Sequence, residues 1–300
     1  MKKQKVVILG STGMLGSMLL DVFAKDSEFD IVATYRNDRV GKSLKNKYPG
    51  VTFGKLAVQE VSPKDVLQAI KGAKWVVNAI GVIKPYIHDE IAEEIDRAIS
   101  VNARFPHLLA QAAKNINSKV IQIATDCVYS GQKGHYMETD SHDALDVYGK
   151  TKSLGEVFGD QFYHLRCSII GPELKGHYSL LDWFLGQPRG AEVNGFTNHQ
   201  WNGITTLHFA RICYGIIKNE ANLPHVQHIV PGNIISKAKL LKSIAEKFNR
   251  EDVIIHTMNA PVAINRTLST NNQKLNKRLW KLAGYDNPPT VAQMLEELAA

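Results

Sequence analysis

Over the first 170 residues, short and almost wholly apolar runs alternate with longer stretches whose apolar positions recur every three or four residues. The runs "KVVILG", "DIVATY", "KWVVNAIG", "KVIQIATD" and "YHLRCSII" are rich in β-branched residues and predict strands. Between them, "GMLGSMLLDVFAKD", "SPKDVLQAIKG", "EEIDRAISVNARFPHLLAQAAKN" and "DVYGKTKSLGEVFGDQ" predict helices. A strand apolar at nearly every position must be covered on both faces. The alternation therefore predicts an α/β fold: a Rossmann-type, doubly wound parallel sheet with helices on either side. Right-handed crossovers would place ligands outside the carboxyl ends of the strands, where the strand order reverses.

After residue 170 the rhythm becomes irregular. The stretch "GPELKGHYSLLDWFLGQPRGAEVNGFTNHQWNGITT" is rich in Gly, Asn and aromatic residues, and is followed by helix "LHFARICYGIIKN", strand "VQHIV" and helix "KAKLLKSIAEKFN". The tail offers an extended piece in "VIIHTMNAPVAINRTLSTN" and a last short helix after Pro288 and Pro289. This organisation predicts a sheet domain over 1–170, a later strand near 225–232 returning to its sheet, and a smaller mixed substrate-binding lobe over 171–300 interleaved with it.

With 300 residues, 44% of them hydrophobic, the chain can bury a large core. The formal charge of +7 changes the picture little. Its 36 basic residues are scattered and form no run of five or six, which argues against nucleic acid and leaves a mild attraction for phosphate-bearing small molecules. Three cysteines, Cys127, Cys167 and Cys213, without a CxxC pair suggest neither a disulfide framework nor a metal site, and fit a reducing cytoplasm. The start copies a secretory leader, but Gly10, Ser11, Thr12 and Gly13 interrupt its apolar run. Neither export nor a membrane span is expected.

Chemistry enters first in "VVILGSTGMLGSMLL", which sets Gly10, Gly13 and Gly16 at a strand-to-helix junction. Gly10 suits the tight turn, Gly13 a close backbone approach to a pyrophosphate, and Gly16 close helix-to-strand packing. The helix N-terminus then offers unpaired N–H groups to the anion. Where an NAD-preferring site commonly carries an acidic residue after the second strand, "VATYRND" carries Arg36. A guanidinium suits a 2′-phosphate, so NADP(H) is the expected cofactor.

In "DVYGKTKSLGE", Tyr148 and Lys152 stand four apart on one face of a helix, whereas Lys150 points elsewhere and reads as a solvated side chain. An ordinary phenol, with a pKa of about 10, shuttles protons poorly at neutral pH. A neighbouring ammonium, together with the positive nicotinamide ring, would favour the phenolate and lower its pKa toward the working range. Thr125, at the carboxyl end of "VIQIATD", could donate to the same substrate oxygen.

As a set, these residues resemble the extended short-chain dehydrogenase/reductases, and within them the dTDP-4-dehydrorhamnose reductase group. The resemblance runs through "ILGSTGMLGSML", "VVNAIG", "SVNARFPHLLAQAA", "IATDCVYSG", "GHYMETDSHDALDVYGKTKSLGE" and "LRCSIIGP", with weaker echoes in "NHQWNGITT" and "INRTLST". It implies Thr125, Tyr148 and Lys152 as the catalytic trio. It implies Gly10, Thr12, Gly13, Met14, Leu15 and Arg36 as holding NADP(H), with Ala79, Ile80, Gly81 and Asn102 lining the cofactor cleft. It further implies reduction of a keto group on a nucleotide-linked sugar, work in polysaccharide biosynthesis, and a homodimer built through helices that include Tyr148 and Lys152. Arg166, Asn198, Gln200, Trp201, Asn202 and Arg266 lie near the expected substrate lobe, each with a structural role as the simpler reading.

Two other resemblances compete. Related 4,6-dehydratases follow the Thr with an Asp–Glu pair, but here Asp126 is followed by Cys127. GDP-fucose synthase, an epimerase-reductase, places a cysteine two positions after its catalytic hydroxyl residue and a histidine ahead of a later helix. Cys127 and His177 occupy similar places and could exchange protons beside a ketone. The methionine adenosyltransferase β subunit, a non-catalytic NADP-binding regulatory subunit, resembles the same group.

Overall fold

The computed structural model describes residues 3–174 and 176–300, with the backbone alone over 38–42. Six strands, β1 (Gln4–Leu9), β2 (Phe29–Tyr35), β3 (Thr52–Lys55), β4 (Trp75–Asn78), β5 (Lys119–Thr125) and β6 (Phe162–Cys167), join the strand Val226–His228 in one sheet. Its order is Val226–His228, β6, β5, β4, β1, β2, β3, and every neighbouring pair is parallel. The order reverses between β1 and β4, so the carboxyl ends of β1, β4 and β5 open on the switch point.

Alternation along single strands explains why the runs read as continuously apolar. On β1, Val6 and Ile8 enter one core while Val7 and Leu9 enter the other; Trp75 and Val77 are likewise separated from Val76 on β4. Helices α1 (Met14–Phe23) and α2 (Asp38–Lys47) follow β1 and β2, and α3 (Pro63–Ala69) precedes β4. The stretch expected as one helix over 93–115 is α4 (Ala92–Ala98), a π-helical turn Ile99–Arg104 and α5 (Phe105–Asn115). Pro106 has no N–H to return to the Asn102 carbonyl four residues back, and the wider turn sits where that bond is lost. Helix α6 (Val147–Leu154) follows β5.

The second half completes one core and builds the lobe. Helix α7 (Leu180–Leu185) opens the lobe, and α8 (Thr206–Lys218) crosses α1, where Phe23, Phe29 and Tyr214 pack edge to face. Strand His199–Trp201 pairs antiparallel with Ile235–Ser236 and parallel with Ile264–Asn265, while Glu192–Phe196 pairs with Ile254–Met258. Helices α9 (Lys237–Lys247), α10 (Gln273–Leu282) and α11 (Val291–Ala299) finish the chain. Three of these elements have little apolar signature. β3 is a four-residue edge strand with no buried position, α2 is strongly polar, and α10 buries only Asn276, Leu279 and Trp280.

A buried ionic knot joins the two halves. The Arg166 guanidinium on β6 holds both oxygens of Glu156 at 2.5 Å and also contacts the Tyr129 hydroxyl at 2.8 Å, His228 at 2.8 Å and His142 at 2.9 Å. Arg166 is thus spent inside the fold. Asn198 exchanges two bonds with Ala260, Asn202 two with Leu268, and Gln200 donates to Thr197, so their side chains tie lobe segments together.

Candidate functional site

The glycine turn is built as its spacing demands. Gly10 ends β1 at φ +83°, a conformation that penalises any residue with a Cβ, and such an atom would stand 2.8 Å from the Ile80 side chain. At Gly16 a Cβ would fall 2.0 Å from the Gly10 carbonyl oxygen, so α1 can pack this closely only without a side chain there. Gly13 differs: its Cβ would meet nothing in the protein closer than 3.5 Å. Gly13 caps α1 with no side-chain hydrogen bond, leaving the first N–H groups of a ten-residue helix facing outward. That is a cradle for a phosphate group, and an NADP(H) pyrophosphate fits it. Thr12 and Met14 are half-buried beside it, whereas the Leu15 side chain lies in the core beneath α1 and can offer only its backbone.

Arg36 is exposed immediately past the carboxyl end of β2. Lys45 of α2 stands with its Nζ 5.8 Å from the centre of the neighbouring Tyr35 ring, adding a second cation to this edge. Both suit a 2′-phosphate.

Across the switch point, Ala79, Ile80 and Gly81 form the loop after β4, fixed by a chain of side chains. Asn78 accepts from the Ile80 N–H at 3.1 Å and donates to Gln122 at 2.8 Å; Gln122 donates to the Gly155 carbonyl at 3.0 Å. Asn102 stands against the same loop, its Oδ1 3.4 Å from where a Gly81 Cβ would be. It is buried, and its amide is spent on the Val82 backbone, accepting from its N–H at 2.8 Å and donating to its carbonyl at 2.9 Å. It holds the loop in place.

Thr125 is the last residue of β5, and the Tyr148 phenol lies near its hydroxyl. Helix α6 is held in that position at several points. Asp146 caps it by accepting from the Gly149 N–H at 2.7 Å and pairs with Lys84 at 2.7 Å, while Asp89 accepts from the Val147 N–H. A Cβ on Gly149 would lie 2.4 Å from that of Ala144 and 2.6 Å from the Cys127 carbonyl oxygen. A Cβ on Gly155 would lie 1.9 Å from the Asn102 carbonyl oxygen. Lys152 reaches the same region, its Nζ 3.4 Å from the Ile123 carbonyl and 3.9 Å from where a Gly81 Cβ would be. Lys150 is exposed.

The electrostatics of the protein alone are dominated by burial. Burial is the largest influence on Tyr148 and pushes the phenol well above its ordinary value, with the neighbouring Cys127 adding to this and Thr125 opposing it. Burial also lowers the Lys152 ammonium to about 8, with Glu156 opposing. The protein by itself therefore keeps a neutral, protonated phenol, the form that donates a proton, beside a lysine close to its titration point. Cys127 is pushed up to about 12, chiefly by burial and then by Asp126, so its thiol is a poor base at neutral pH. His177 is exposed and bonded to Asp182 at 3.0 Å; no contact with Cys127 is present among the described residues.

Sequence reasoning missed Asn78, Gln122 and Gly149. The signals were there: a polar residue in each of the apolar runs "WVVN" and "VIQI" must find a buried partner, and a glycine inside a helix costs about 1 kcal/mol unless packing requires it.

Comparison with known proteins agrees with this geometry. The chain matches the model of the RmlD substrate binding domain over residues 4–299. It is 30% identical over 154 residues to dTDP-4-dehydrorhamnose reductase of Aggregatibacter actinomycetemcomitans, covering 51% of this chain and 45% of that protein. It is 22% identical over 244 residues to methionine adenosyltransferase 2 subunit beta of Mus musculus, covering 81% and 63%. The matched stretches thus span about half to three fifths of these relatives' lengths. The crystal structure of dTDP-4-dehydrorhamnose reductase from Bacillus anthracis in complex with NADP superposes with a TM-score of 0.76 at 18% identity, over 99% of each chain. With the family model matching nearly every residue and the fold agreeing end to end, the chain belongs to the RmlD substrate binding domain family, with the extended short-chain dehydrogenase/reductase fold.

Proposed function

We propose that this protein is an NADPH-dependent reductase of a nucleotide-linked keto sugar. The observation that carries the reading is the placing of Thr125, at the carboxyl end of β5, and of Tyr148 and Lys152 of α6 in the same cleft as the glycine turn. When bound, NADPH supplies a hydride to the carbonyl carbon. Thr125 and Tyr148 together receive the carbonyl oxygen: the threonine hydroxyl orients it, and the phenol gives it a proton as negative charge develops. Lys152 serves the cofactor ribose and supplies positive charge near the phenol. Gly10, Thr12, Gly13, Met14, the Leu15 backbone and Arg36 hold the phosphates, with Ala79, Ile80 and Gly81 closing the other side.

Epimerisation by Cys127 and His177 finds less support, because one group is a high-pKa thiol and the other is exposed and engaged by Asp182. The likeness to methionine adenosyltransferase 2 subunit beta supports a second reading, an NADP-binding regulatory subunit. Incubation with a panel of 4-keto sugar nucleotides, following NADPH absorbance and determining the product by NMR, separates the two. Oxidation of NADPH coupled to a new hydroxyl supports the reductase; tight NADPH binding without turnover on any member of the panel rejects it.

A further inference from the structure

Three neighbouring strands carry a row of buried polar side chains in a sheet that is otherwise apolar. Asn78 on β4, Gln122 on β5 and His164 on β6 stand side by side in register, at 1%, 3% and 0% exposure. One pleat earlier on the same face, the corresponding row is Val76, Val120 and Phe162, all members of one apolar core. Burying amides and an imidazole is unfavourable unless each finds a partner, and aliphatic side chains would fill the same space at lower cost.

The partners lie outside the sheet, in two segments of the cleft. Asn78 accepts from the Ile80 N–H at 3.1 Å, in the loop after β4, and donates to Gln122 at 2.8 Å. Gln122 donates to the Gly155 carbonyl at 3.0 Å, and Nε2 of His164 lies 3.1 Å from the Val157 carbonyl. A carbonyl only accepts, so that nitrogen carries the imidazole proton. Gly155 caps α6 three residues after Lys152, and its α-carbon abuts the carbonyl of Asn102, whose amide grips Val82 at the far end of the same loop. The contacts close a ring: loop 80–82, Asn78, Gln122, Gly155, Asn102 and back to the loop. Lys152 spans it, with Nζ 3.4 Å from the carbonyl of Ile123, the residue after Gln122, and 3.9 Å from where a Gly81 Cβ would be.

We infer that Gln122 is a positioning residue for Lys152: its amide locks the exit of α6 to the loop after β4 and so sets the lysine against the cofactor cleft. The inference rests on the reductase reading above, in which Lys152 serves the cofactor, and adds a residue that acts only through α6 and that loop. An amide suits the place because it accepts from Asn78 and donates to Gly155 at once, with no charge to bury. Methionine and leucine fill similar space and do neither.

Fluorescence titration with NADPH alone tests this on the wild type, Q122M, Q122L, K152M and the Q122M/K152M double variant, each checked for folding by its melting curve. Q122M and Q122L should bind NADPH at least fivefold more weakly than wild type. In the K152M background, Q122M should add less than about twofold, because the lysine it positions is gone. A side chain that only held the sheet together would lower the melting temperature, leave the folded protein's NADPH affinity unchanged, and weaken K152M as much as wild type. Q122N keeps the amide on a shorter arm; it takes the place of the apolar variants if neither folds, with the same outcome expected. Wild-type affinity in a folded Gln122 variant, or full additivity with K152M, overturns the inference. A wild type that binds NADPH and shows this non-additivity, yet reduces no keto sugar nucleotide, rejects the reductase reading alone; one that does not bind NADPH overturns both.

Discussion

The α-carbon of Gly149 lies so close to the carbonyl of Cys127 that an added Cβ would stand 2.6 Å from its oxygen. Through this contact α6 rests on the turn Asp126–Val128, with the Tyr148 phenol near Thr125. Gly149→Ala should push the helix outward. Overpacking of this kind costs about 1–3 kcal/mol, and a displacement on the order of 1 Å at the reacting groups can cost about 10²-fold in rate. Thermal unfolding and NADPH oxidation measured side by side should show both losses. Unchanged turnover would separate α6 docking from catalysis.

Tyr148→Phe should leave NADPH binding and melting temperature near wild type while lowering turnover by roughly 10²–10⁴-fold, the range for loss of a positioned general acid. Thr125→Val should fall in the same direction through loss of the orienting hydroxyl. Fluorescence titration of NADPH, run beside steady-state kinetics, distinguishes failure of chemistry from failure of binding.

Lys152 titrates in the folded protein near 8 in place of its ordinary 10.5. Below pH 8 the folded state carries a half-buried charge that the unfolded chain hydrates freely. The group is therefore destabilising there, and the penalty is relieved as pH rises from about 8 to 10.5, where the unfolded chain binds more protons. Lys152→Met should raise stability at pH 7 by on the order of 2–3 kcal/mol and remove that part of the pH dependence, while weakening NADPH binding. Denaturant midpoints at pH 7 and 10 check the sign.

Arg36→Ala should erase the preference for NADP(H) over NAD(H). A charged hydrogen bond to phosphate is worth about 1.5–3 kcal/mol, so discrimination should drop roughly 10- to 100-fold. The ratio of kcat/KM for NADPH to that for NADH is the measurement, and Lys45→Ala should produce a smaller fall in the same ratio.

The Glu156–Arg166 pair carries stability. Burial raises the Glu156 carboxyl, but the Arg166 guanidinium outweighs it and holds the group below the ordinary carboxylate value. With a depressed folded pKa, its contribution is present above the unfolded value near 4.5 and is lost as pH falls through the folded one. Glu156→Ala should cost about 3–5 kcal/mol at pH 7 by leaving Arg166 buried and unpaired. Wild-type stability should fall on acidification below pH 5 more steeply than that of the variant, measured by urea unfolding.

The Rossmann-type architecture, the glycine turn, and the placing of Thr125, Tyr148 and Lys152 at one sheet edge were legible in the sequence. Each depends on local rules: period in apolar residues, glycine at a turn, four-residue spacing on a helix. β3, α2 and α10 were not legible, because an edge strand and two largely polar helices owe their shape to neighbours more than to their own pattern. Tertiary structure alone decided that Asn102 clamps Val82, that Arg166 belongs to the fold, and that burial raises the Tyr148 phenol above its ordinary value. Spacing records which side chains share an element. Desolvation and charge pairing depend on which elements meet, and that is fixed only when the chain closes around them.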